Sequence, residues 1–300
     1  MKKIFFCLAI MITNLLAAAD STFIYIQKCE YNKAIRYGEK KAKTFKYSGK
    51  YANLEKKIDI YNLACVYALT NNEKKSYEKL EDCMHVDTAG YTSYLTDPDF
   101  YNLVNKKSWF LFLQKNKPAR YKSMNDTLYY NLSKIAIQDQ ALYNQLSCTE
   151  RKFGVESKQA KEIWKIKDSL NKENLAMIEK YLADSINVLS NRVVREGFAS
   201  HCFLVIQHSD TATMNKYLPI IKKLYEKGET KGENYALLYD RVMLHKENGL
   251  QYYGTQVDYE GTKVYPIKDE RNVDKRRAAL GMEPLKDYLL KFNIIYSPKK

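Results

Sequence analysis

The sequence predicts a mainly α-helical protein in two parts. Helical hairpins occupy residues 20–123, and a helical domain with one small β-hairpin near 251–267 follows over 124–292. Three patterns lead to that reading. Apolar residues recur at spacings of three and four through 125–147 and 156–183, the signature of amphipathic helices. Small residues sit across a turn from one another near residue 70, as closely packed helix pairs require. Only at QYYGTQV, DYEG and TKVYPI does the period change from helical to alternating.

The chain opens with MKKIFFCLAIMITNLLAAAD. Lys2 and Lys3 precede an apolar run from Ile4 to Leu16, and Ala17 to Ala19 offer a small-residue cleavage site. That describes a secretory signal peptide over 1–19. The run is short of the roughly 20 residues that span a bilayer, and no later segment is apolar enough to do so. The expected product is an exported chain, periplasmic or extracellular, with no transmembrane segment after cleavage.

Cys29, Cys65, Cys83, Cys148 and Cys202 are widely spaced and include no C-x-x-C. This excludes a dense disulfide framework and a zinc site, and leaves room for one or two bridges. Most of these cysteines read as small core residues. The formal net charge is +14, but the lysines are dispersed among glutamates rather than gathered in a stripe. Together with export, that argues against nucleic acid as a partner and allows weak attraction to anionic envelope surfaces.

In IYNLACVYALTNNEKKSYEKLEDC, Ile60, Leu63, Ala64 and Tyr67 share one helix. Asn71 and Asn72 turn the chain, and Ser76, Leu80 and Cys83 lie on the next helix. These offsets resemble the tetratricopeptide pattern. Tyr25 and Ala34 give a weaker earlier copy, in which Gly38 stands where a large residue belongs. A tetratricopeptide-like surface of this kind would meet a protein partner.

Pro98 and Pro118 punctuate short helical pieces through TDPDF, SWF and NKPARYKSMN, with a boundary expected near 118–125. One long helix is expected over 125–147, with Leu128, Leu132, Ile135, Leu142 and Leu146 as its apolar stripe and Asp139 interrupting it. A second, over 156–183, uses Trp164, Leu175, Ile178 and Leu182, interrupted by Asp168 and Asn171. An unpaired charge on a buried stripe is expensive, so these residues need partners.

A third helix over about 195–208, GFASHCFLVIQH, is apolar nearly all round and reads as central. It delivers His208 at its carboxyl end, and Asp210 is placed to cap the following helix, which Gly228 closes. Pro219 should bend that helix or mark its start. A fourth helix over about 234–248 buries Leu238 and Val242 and carries Asp240 and Arg241. After the hairpin, whose turn uses a positive φ at Gly261, a short helix is capped by Asn272 and stopped by Gly281. A last helix begins at Pro284, and 293–300 form a tail.

VIQHSD, YALLYDRV, YGTQV and VDKRRAALGMEPLKDYL, with DQ at Asp139 and Gln140 and DSLN at Asp168 to Asn171, together resemble a bacterial domain of unknown function, number 6624. The resemblance covers about 125–292. It implies Gln207, His208, Asp210, Asp240, Arg241, Gln256, Arg276 and Arg277 as matching positions. SNRVVREG stands where that family carries a glycine-aromatic-proline turn, and Tyr143 stands near the place of an arginine. The family lends no activity.

Asp139, Asp168, Asn171, His208, Asp240 and Arg241 would come from four helices and Gln256 from the hairpin. Such a set forms either a polar ligand pocket or an internal network in which Arg241 pairs with an aspartate. In a pocket, His208 would serve as a base or donor and Arg241 would clamp an anion. His208, Asp210 and Asp240 lack the tight spacing of metal ligands, so neither a metal nor a cofactor is assigned. Two function classes follow: a binding or interaction module of the cell envelope, or a hydrolase-like enzyme using His208 with an aspartate.

Overall fold

The computed structural model describes residues 21–86, 93–246, 249–258 and 261–297. The expected signal peptide lies outside them. Two compact units divide the described chain, one up to Lys172 and the other from Glu173.

The first unit begins with α1 (Ser21–Gln27), α2 (Tyr31–Thr44), α3 (Ala52–Leu69) and α4 (Glu73–Val86), which pack as successive neighbours. The three-residue link after α3 closes through Asn71, whose φ of 58° an asparagine tolerates. Small residues set the close approaches. Ser76 is buried, and its hydroxyl donates to the Ala64 carbonyl at 2.9 Å. Gly38 is buried against α3, where a Cβ would lie 2.7 Å from Leu63 Cδ2. The glycine that looked out of place is what lets α2 lie on Leu63.

Pro98–Phe100 forms a short 3-10 turn capped by Asp97, and α5 (Lys107–Lys115) brings Trp109 over Phe100, with ring centroids 5.4 Å apart. Asn125 caps α6 (Asp126–Gln140), accepting from the amides of Thr127 and Leu128. The single helix expected over 125–147 is in fact two. The chain breaks at Leu142, where φ is 69°, and resumes as α7 (Tyr143–Phe153). The break is stabilised by Lys167, whose buried ammonium donates to the carbonyls of Asp139 and Ala141 at 2.8 and 2.9 Å. Those acceptors would otherwise lack partners at a helix end. Cys29 and Cys148 form a disulfide between the turn after α1 and α7, while Cys65, Cys83 and Cys202 are buried thiols.

The division between units falls within α8 (Lys158–Ala183). Its buried positions are Ala160, Lys167, Leu170, Asn174 and Ile178. Asp168 and Asn171 therefore flank the buried stripe as half-buried residues, and the fully buried polar positions are Lys167 and Asn174.

In the second unit, α9 (Asn191–Gln207) is interrupted at Arg195, whose φ of 68° and ψ of 153° are not helical. The regular part starts beyond it, close to where the sequence places it. Asp210 caps α10 (Thr211–Glu226) by accepting from the Thr213 amide at 2.7 Å. Pro219 lies inside that helix without starting it, and Gly228 follows its end with φ 69°. Next come α11 (Gly232–Lys246), α12 (Val273–Ala279) and α13 (Leu285–Leu290). Asn272 stands at the start of α12 but does not cap it, because its amide donates to the Asp269 carboxylate instead. Val257, Val273, Leu285, Tyr288 and Leu289 form the core between 257 and the carboxyl end.

The expected β-hairpin is absent among the described residues. Residues 251–267 hold two isolated bridges, Gln251 with Ile267 and Val257 with Val264. Gly261 does take the positive φ of its turn, 67°. The strands fail because the amides of Tyr252, Tyr253 and Thr255 point at a carboxylate rather than across a ladder. No described helix is long and apolar enough to cross a membrane.

Candidate functional site

The carboxylate that organises the second unit is Asp240, fully buried in the middle of α11. Its Oδ1 accepts from the amides of Tyr252 and Tyr253 at 2.7 and 2.8 Å. Its Oδ2 accepts from the amide and the hydroxyl of Thr255, both at 2.9 Å. Burial pushes the Asp240 carboxyl above its usual range, and these four donors pull it back. The loop they hold is also closed from within. The Gln251 side chain accepts from the Gln256 amide at 2.8 Å and donates to the carbonyls of Gln256 and Tyr265. One side chain thus replaces a length of strand pairing.

Arg241, the next residue of α11, donates from Nε to Gln256 Oε1 at 3.1 Å and from Nη1 to the Gln207 carbonyl at 2.9 Å. These bonds tie the end of α9 to the loop. The Gln256 amide nitrogen donates in turn to Thr255 Oγ1 at 3.0 Å. A small recess, with room for only about one or two waters, lies beside this knot. Gln207, Arg241, Thr255, Gln256 and Tyr288 supply its polar wall, and Leu204, Leu237 and Val257 its apolar wall.

Arg276 and Arg277 secure the same loop from α12. Arg276 donates to the carbonyls of Tyr252, Lys268 and Asp269, with its guanidinium 4.2 Å over the Tyr252 ring. Arg277 is fully buried, donates to the carbonyls of Glu283 and Tyr253, and lies 4.7 Å over Tyr288. Its Nη2 has no hydrogen-bond partner among the described residues. Burial lowers its pKa from the usual guanidinium value.

The structure therefore brings together Gln207, Asp240, Arg241, Gln256, Arg276 and Arg277. His208 is half-buried at the end of α9, where its amide donates to the Leu204 carbonyl, and it is not among the residues lining the recess. Asp210 is an exposed helix cap. Asp139, Asp168 and Asn171 belong to the first unit. There Asp139 is fully buried and accepts from Gln140 Nε2 at 2.5 Å. The neighbouring Gln138 is also buried, and neither end of its amide has a hydrogen-bond partner among the described residues.

Four side chains here escape a reading of the sequence: Gln251, Thr255, Lys167 and Tyr288. So does a cluster in the first unit where Cys65 Sγ and carboxylate oxygens of Asp97 and Asp99 lie within 4.8 Å of one another. Tyr61 donates to Asp97 at 2.7 Å. Burial raises the pKa of both carboxyls, and Asp97 raises that of Asp99 further.

Residues 127–299 match the model of a family of unknown function, DUF6624. The chain belongs to that family. The match takes in every candidate residue from Asp139 to Arg277, so the family's segment contains the whole Asp240 knot. No curated protein and no solved structure matches the chain.

Proposed function

We propose that this is an exported binding protein of the cell envelope rather than a hydrolase. The observation that carries the reading is the saturation of Asp240. A base or nucleophile needs a lone pair directed at substrate, and this carboxylate spends both oxygens on four donors of its own chain. The recess beside it has room for only about one or two waters, and it presents one guanidinium, two amides, a hydroxyl and a phenol among apolar side chains, polar groups of the kind that orient a small ligand.

Export is supported by the charged and apolar amino terminus and by the Cys29–Cys148 pair, since disulfides persist in oxidising compartments. The hairpins α1 to α4, tetratricopeptide-like in their spacing, would offer a second surface to a protein partner.

The test compares melting of wild type, Asp240→Asn and His208→Gln, with small-molecule screening by thermal shift on the same proteins. The expected result is a clear fall for Asp240→Asn and little change for His208→Gln. Asp240→Asn melting at or above wild type would reverse the reading, because residues kept at the expense of stability belong to chemistry. Sequencing the amino terminus of secreted protein checks export, with Asp20 as the expected first residue.

A further inference from the structure

We infer that the link between α2 and α3 is a docking site for anionic lipid surfaces. Residues 40–57, KKAKTFKYSGKYANLEKK, contain seven lysines and a single acid, Glu55; Lys57 is buried and Lys41 pairs with Asp59, which leaves Lys40, Lys43, Lys46, Lys50 and Lys56 exposed. Residues 105–122 carry a similar excess, five lysines and Arg120 with no acid, but there Lys106, Lys115 and Lys117 are held by Glu73, Glu81 and Asp126. Residues 40–57 also leave three large apolar side chains in solvent: Phe45 at 50%, Tyr51 at 53% and Leu54 at 40% exposure. Tyr51 and Leu54 are three apart at the start of α3 and share a face.

The presentation is fixed from behind. Asp59 on α3 accepts from Lys41 Nζ at 2.8 Å and from the Tyr47 hydroxyl at 2.6 Å. Tyr47 packs edge-on to Phe45 at 4.9 Å, and Lys41 lies 5.4 Å over the Phe45 ring. Gly49, with φ 88°, makes the turn. One buried carboxylate therefore holds two side chains whose far sides support an aromatic ring that is itself turned to solvent. Lys40, Lys46, Lys50 and Lys56 are exposed and form no ion pair among the described residues.

Aromatic rings with a polar or cationic neighbour settle at the boundary of headgroup and acyl chain, while lysines extend to lipid phosphates. Each lysine near an anionic bilayer adds attraction within a Debye length. A single-stranded nucleic acid would also accept aromatics and lysines. It needs a groove that follows its backbone over several nucleotides, whereas this segment is the short link from α2 to α3 with an exposed leucine on the first turn of α3. The inference rests on this segment alone and not on the recess or on the choice between binder and enzyme.

The test is co-sedimentation of the full chain with vesicles of phosphatidylglycerol and phosphatidylcholine, against phosphatidylcholine alone, across a salt series. Two variants are compared with wild type: Phe45→Ser/Tyr51→Ser and Lys43→Glu/Lys46→Glu/Lys50→Glu. The apolar leader is the same in all three proteins, so it cancels in the comparison. Wild type should bind the anionic vesicles and lose them with salt, and each variant should bind at least about tenfold more weakly while melting as wild type does. Variants that sediment like wild type would overturn the inference. So would equal binding to neutral vesicles, or retention of single-stranded RNA by a protein that ignores the vesicles.

Discussion

Asp240 on α11 binds Thr255 twice, through the Thr255 amide and through its hydroxyl, both at 2.9 Å. This pair is where a helix imposes its geometry on a loop that its own sequence would send into strands. Asp240→Asn keeps the shape but turns an amide donor toward backbone donors, so a cost of about 2–4 kcal/mol is expected. Thr255→Val removes the hydroxyl's bond to Asp240 and the one it accepts from Gln256 Nε2, and should cost about 1–2 kcal/mol. Urea unfolding of the two single variants and the double variant should show less than the sum, since both changes break one shared contact. Full additivity would mean the pair is not coupled.

The Asp97 and Asp99 carboxyls make stability depend on pH in an unusual direction. Both titrate above the ordinary carboxylate value in the folded chain, through burial and, for Asp99, the neighbouring Asp97. Between the unfolded value, near 4, and those raised values the native state holds more protons than the unfolded one, so this pair favours folding less as pH rises. Asp99→Asn removes its own share of this dependence and leaves the share that burial gives Asp97. It should melt above wild type at neutral pH, and the difference should shrink toward about pH 4, where wild type has taken up its proton. Paired melting curves across that range check this. The comparison with wild type matters because Glu39, Glu73 and Asp126 are lowered by their own partners and titrate in the opposite sense.

What the sequence shows plainly is local. The cap at Asp210 and the turns at Gly228 and Gly261 depend on residues a few positions apart, and each stands where the pattern puts it. What it hides depends on partners far along the chain. The break between α6 and α7 is supported by Lys167, some 25 residues beyond. The hairpin pattern at 251–267 is genuine, but Asp240 competes for its amides and wins. On α8 the wide gap between Trp164 and Leu175 in the apolar pattern left its phase one residue off, which gave Asp168 the buried place that Lys167 holds. Asp240 and Arg241 stood out as charges in the middle of a helix, and Gln256 through the family resemblance. Gln251 did not, because a glutamine in a loop looks alike whether it faces solvent or substitutes for a strand.

The disulfide makes a prediction that bears on the first unit. Cys29 and Cys148 close a loop with a sequence separation of 119, and a cross-link of that span stabilises by about 3–5 kcal/mol through the unfolded chain. Reductant should therefore lower the melting temperature of wild type, and Cys148→Ser should melt equally low with or without reductant. Peptide mapping under non-reducing conditions should recover the two cysteines joined. A wild-type melt indifferent to reductant would exclude a stabilising bridge.

Adjacent arginines on α12 should differ sharply on conversion to lysine. Arg277 has no access to solvent, donates through Nε and Nη1 to two separate backbone carbonyls, and stacks on Tyr288. A lysine is a single point donor with no planar face, so it cannot reach both the Glu283 and Tyr253 carbonyls while covering the ring. Arg277→Lys should cost about 2–4 kcal/mol, the range for leaving buried acceptors without a donor around a displaced charge. Arg276 also donates to loop carbonyls and lies over the Tyr252 ring, but its side chain keeps 11% exposure beside the exposed Asp269, where Arg277 has none. Water can replace what Arg276→Lys gives up, and about 1 kcal/mol is expected. Chemical denaturation of the two variants side by side decides it. Equal losses would mean that burial does not separate these two residues, and that the loop depends on the charge of α12 rather than on the fork of Arg277.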